Sequence, residues 1–82
     1  MITITENRTH IMQMREDYKI AEVKKADIID FVVNMNDGDL RIIFTTKGDF
    51  NTTGCVTMHF VMQKQFDEAI AELICITDRI GI

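Results

Sequence analysis

A chain of 82 residues with 46% hydrophobic content makes one small domain, too apolar to stay unfolded by composition and too short for more than a thin core. Thirteen acids against nine bases give a formal net charge of −4, which suits solubility; with Lys24-Lys25 as the longest basic run, nucleic acid is not an expected partner. Two cysteines are too few for a disulfide scaffold, no apolar run approaches a membrane span, and Met1 to Glu6 has neither the basic nor the apolar region of a signal peptide, so the expected setting is cytoplasmic and reduced.

The N-terminal third reads as strands. Ile2 and Ile4 alternate with threonines, and His10 to Met14 forms a second short run after a turn centred on Asn7. Asp17 to about Ala26 is ambiguous. As a helix its apolar stripe is thin; as a strand it puts Tyr18 and Ile20 on one side and Ala21 and Val23 on the other, and strand is favoured.

The middle carries the clearest β pattern. Asp27 to Met35 and Asp39 to Thr46 flank Asn36-Asp37-Gly38, residues that tolerate the positive φ of a hairpin turn. Ile29, Phe31, Val33 and Met35 alternate onto one face of the first run, and Leu40, Ile42 and Phe44 onto one face of the second. A polar loop opens at Lys47-Gly48-Asp49 and ends near Gly54. Cys55 to Met62 is then a third strand with Val56, Met58, Phe60 and Met62 aligned.

From Lys64 to about Ile80, Phe66, Ala69, Ile70, Leu73, Ile74, Ile76 and Ile80 recur at spacings of three and four, which places them on one arc of a helix. Its outer arc carries Asp67, Glu68, Glu72 and Cys75. The expected fold is α+β: a curled antiparallel sheet of about four to six meandering strands, with this C-terminal amphipathic helix packed on it. Its expected seat is Phe31, Val33, Leu40, Ile42, Val56, Met58 and Phe60. The reverse face of that sheet would present Ile28, Val32, Ile43, His59 and Val61 among polar residues. That mixture is too apolar for a fully wet face, so a partial cover is expected, either the N-terminal third or a second chain.

No catalytic, cofactor or metal motif stands out. Cys55 and His59, four apart on a strand, lie about 13 Å apart and cannot share one metal. Cys75 has acidic neighbours, the opposite of the electropositive setting a reactive thiolate needs. Glu68 and Glu72 converge on a solvated helix face, where neither gains the burial that general acid–base work requires. Aligning Asp37-Gly38 with a calcium loop puts Val33, Met35 and Phe44 at ligand positions, and Gly48 to Gly54 lacks the Gly-Lys-Thr of a phosphate cradle. The chain contains no serine. Met35, Met58 and Met62 are expected to fill the core, whereas Met12 and Met14 are candidates for an interface.

These absences point to a non-enzymatic interaction protein, an adaptor, inhibitor or modulator without a cofactor. Short motif-free chains of this kind are common among phage and mobile-element genes, which is an expectation about the class and not about these residues. The alternative is a self-assembling homodimer. Two candidate interfaces follow. One is the sheet's reverse face, at Ile28, Val32, Ile43, His59 and Val61; the other is the helix's outer face, at Asp67, Glu68, Glu72 and Cys75.

Overall fold

Short polar side chains set the first turns of the chain. The Asn7 side-chain oxygen accepts from the backbone N–H of Thr9 (2.9 Å) and of His10 (2.7 Å), and Asn7 N–H donates to His10 O. In the computed structural model, which describes residues 1–81, this turn joins β1 (Ile2–Glu6) to β2 (His10–Arg15). β3 (Tyr18–Lys24) completes an antiparallel sheet in the order β1-β2-β3, so the favoured strand reading of residues 17–26 holds for its central part. A bulge in β3, opposite Gln13 and Met14 of β2, leaves Ile20 outside the register. Ile20 and Tyr18 face solvent while Ala21 and Val23 turn inward.

A 3-10 turn at Lys25–Asp27 leads into a second antiparallel sheet, β4 (Ile28–Asn34), β5 (Leu40–Lys47) and β6 (Thr53–Phe60), in the order β4-β5-β6. Asp37 (φ 53°) and Gly38 (φ 76°) supply the left-handed residues of the β4–β5 turn. The fold is α+β, with six antiparallel strands and one C-terminal helix; the strands divide into two three-stranded sheets, which the expected curled sheet of four to six strands matches roughly. The turn at residues 25–27 redirects the chain, and β3 comes beside β6 without forming a ladder. Buried Gln13 bridges that seam, its Nε2 donating to His59 O at 2.5 Å.

The helix α1 runs from Gln63 to Ile80 and ends on Gly81 in the left-handed conformation (φ 78°), whose N–H donates to Thr77 O. Phe66, Ala69, Leu73 and Ile76 are buried, as their spacing requires. The expected seat is only part of what receives them. Phe60 meets Phe66 at 5.6 Å between ring centroids, but the helix packs more extensively along β1. Ile2 N–H donates to Gln65 Oε1 (3.0 Å), and Arg79 pairs with Glu6, so α1 runs in the same direction as β1. The core joins Ile4, Ile11 and Val23 of the first sheet to Leu40, Ile42, Phe44, Met58 and Phe60 of the second.

Several inward expectations are corrected at the margins. A register shift in β4 between Ile28 and Asp30 turns Ile28 toward the core and leaves Ile29 exposed. Met35 and Met62 lie just beyond the ends of β4 and β6 and are exposed, whereas Met58 is fully buried. Val33 keeps its inward parity, but β4 is an edge strand and the side chain sits at the rim of the core. Ile74 and Ile80 fall on the flanks of the buried arc and remain accessible.

Candidate interaction surface

Register places the reverse face of the second sheet in three cross-strand rows. Val32, Ile43 and Thr57 form the central row; Asn34, Arg41 and His59 lie on one side of it, and Asp30, Thr45 and Cys55 on the other. The N-terminal third contributes to the core cluster on the opposite face and does not cover these rows, contrary to one of the two expectations. Val32 is 57% exposed, Ile43 and Thr57 are half-buried, and His59 is exposed. Of the five residues expected here, Val32, Ile43 and His59 share the face. Ile28 is on the core side, and Val61 lies beyond β6 in the bend before the helix, 81% exposed.

The polar row is tied together by charge. Arg41 Nη2 lies 2.6 Å from Asp39 Oδ2, and His59 Nδ1 lies 3.9 Å from Asp39 Oδ1. Arg41 Nε is buried without a hydrogen-bond partner among the described residues. The guanidinium is thus paired at one end with Asp39 and left with one donor unsatisfied, at a local cost of about 1–3 kcal/mol.

Two features of this sheet were not legible as sites in the sequence. The first is β4 itself, whose outer edge pairs with no strand among the described residues and which exposes Ile29, Val32 and Val33, with Met35 just past its end. Its one charged residue is Asp30, and the chain has no proline to blunt the edge. The second is Phe50, 96% exposed at the tip of the β5–β6 hairpin. Phe50 and Asn51 both have positive φ (56° and 63°), a conformation that costs a bulky residue about 1–2 kcal/mol. The loop enforces it: Gly48 N–H donates to Thr52 O, while Thr52 N–H and Oγ1 both donate to Asp49 O. A Cβ on Gly48 would stand 2.5 Å from Thr52 Oγ1, so the closure depends on glycine. Ile28 pairs with Thr46, which puts the start of β4 and the Phe50 tip at the same end of the sheet. A phenylalanine inside an otherwise polar loop was the available signal.

On the helix, Asp67, Glu68, Glu72 and Cys75 are all exposed. Asp67 Oδ1 accepts from Gln63 Nε2 (2.9 Å). Glu68 and Glu72 border a cleft of about 180 Å³ against β1, whereas Asp67 and Cys75 do not reach it. Both cysteines are free thiols on the surface. Among the described residues, no three His, Cys, Asp or Glu side chains converge as a metal cage, and no helix is long and apolar enough to cross a membrane. The Glu6 carboxyl at the far end of β1 is held below the usual carboxylate range, first by the Lys25 ammonium (2.5 Å) and then by the Arg79 guanidinium, against a partial opposing effect of desolvation. This clamp ties β1 to the turn that follows β3 and to the last turn of α1.

No protein-family model, curated protein or solved structure matches the chain. Its surfaces are therefore the guide to what it does.

Proposed function

We propose that this chain is a small non-enzymatic protein-interaction module, an adaptor, inhibitor or modulator that acts by covering a surface of a macromolecular partner. The observation that carries the reading is the apolar margin of the second sheet, where the open β4 edge stands in solvent and the strained Phe50 tip projects from the end of the sheet at which β4 begins. Exposed aromatic side chains held rigidly are the groups that anchor protein interfaces, because little entropy is lost when they are buried. The test is affinity capture with mass spectrometry, comparing wild type with Val32→Glu and Phe50→Asn. A partner retained by wild type and lost with both variants supports the reading; equal capture by all three removes it.

Self-assembly is the second reading, favoured by the composition of β4. Antiparallel pairing of two β4 strands about Val32 sets Asp30 beside Asn34 of the second copy and keeps the two Asp30 side chains about 13 Å apart. The two three-stranded sheets would merge into one of six strands with a twofold axis. Sedimentation at low micromolar concentration decides this reading, since a strict monomer eliminates it.

A further inference from the structure

We infer that the cleft between β1 and α1 is a docking groove for an extended peptide segment bearing lysine or arginine at alternate positions, which adds to β1 as a further strand. The hydrogen-bond alternation of β1 supports this. Glu16 N–H donates to Met1 O and Asn7 N–H to His10 O, which marks residues 1, 3, 5 and 7 as the ones bonded toward β2. The N–H and C=O groups of Ile2 and Ile4 therefore point to the free edge, where no strand among the described residues continues the sheet. Ile2 N–H already donates to a substitute partner: Gln65 Oε1, at 3.0 Å, stands where a strand carbonyl would.

The cleft supplies the rest of the site. Ile2, Ile4 and Ala69 form an apolar floor, and Glu68 and Glu72 stand at the rim. Among the described residues, neither glutamate takes part in an ion pair, whereas Glu6, Glu16 and Glu22 all do. The spacing fits a strand. Four residues of helix rise about 6.0 Å, and two residues of strand span about 6.6 Å. Because α1 runs in the same direction as β1, the two carboxylates form a ladder along the groove that matches basic residues at i and i+2 of an added strand. The Glu6–Lys25–Arg79 clamp holds the other end of β1, beyond the residues that line the cleft. Main-chain pairing supplies affinity and the carboxylate ladder supplies selectivity, the division of labour found where peptides add to a sheet edge.

The inference rests on the interaction reading but uses a surface apart from β4 and Phe50, so Val32→Glu and Phe50→Asn should leave it intact. The probe is acetyl-Thr-Lys-Val-Lys-Val-Lys-Thr-amide, titrated into the full chain and followed by backbone amide NMR and fluorescence anisotropy. Expected are shifts confined to Ile2–Ile4 and Gln65–Glu72. Affinity should fall about fivefold in the Glu68→Gln/Glu72→Gln double variant, the loss of two exposed ion pairs, and the lysine-to-glutamate version of the peptide should not bind. N-methylation of alternate peptide amides should abolish binding in one register and spare it in the other. Shifts elsewhere, no binding, indifference to the double variant, equal tolerance of both methylation patterns, or equal binding of lysine amide alone would each overturn the proposal.

Discussion

Adjacent side chains on opposite faces of the second sheet should respond to substitution in opposite ways. Ile42 is fully buried at the centre of β5 and packs in the cluster shared by both sheets and the helix; Val32, on the neighbouring strand, projects from the other face and is 57% exposed. Truncating Ile42→Ala removes buried methylene and methyl groups and leaves a cavity, a loss of about 2–5 kcal/mol. A chain of this length has a total stability of roughly 4–12 kcal/mol, so the substitution removes a large share of it. At about 4–8 °C per kcal/mol, a loss of about 3 kcal/mol lowers the melting temperature by roughly 12–24 °C. Val32→Thr is nearly isosteric, and its hydroxyl meets water, so the change is within about 0.5 kcal/mol and a few degrees. Calorimetry and urea unfolding of the two variants give the comparison directly. If Val32→Thr destabilises the protein as much as Ile42→Ala, that face is ordinary core and the interaction surface assigned to it does not exist.

Phe50→Asn should stabilise the fold by about 0.5–1 kcal/mol, because asparagine accepts the left-handed backbone at lower cost; a lower urea midpoint would show that the phenylalanine packs. Gln13→Leu leaves His59 O without its partner across the seam between the sheets, with an expected loss of about 1–3 kcal/mol in urea unfolding; an unchanged midpoint would mean that the bridge is dispensable. The Glu6 carboxyl is depressed in the folded state, so its pairing stabilises the protein above the ordinary carboxylate pKa. That contribution is lost as pH falls through the lower, folded value. Glu6→Gln should therefore flatten the acid limb of stability against pH, leaving a residual slope from Glu16, which the N-terminal ammonium depresses, and from Glu22, which Lys19 depresses in the same way. An acid limb as steep as that of wild type would refute the clamp.

Local pattern determined a good part of this protein from the sequence alone. Alternation in β5 and β6 assigned Leu40, Ile42, Met58 and Phe60 to the core, and the three-and-four spacing of α1 assigned Phe66, Ala69, Leu73 and Ile76. The Asn7 and Asn36-Asp37-Gly38 turns follow from side chains that bond or tolerate the backbone they occupy. Such features are decided within a few residues, so a linear reading reaches them. What lay beyond it depends on residues far apart in the chain. One shifted residue in β4 exchanged Ile28 for Ile29, because a period of two inverts with a single insertion. The division into two sheets, the placement of α1 along β1 and the open β4 edge were set by which edges met in space, as Gln13 at His59 and Gln65 at Ile2 record. Glu68 and Glu72 were visible as a pair on one helix face; only the tertiary structure set them beside an unpaired strand edge, because the backbone groups that complete the groove belong to the other end of the chain.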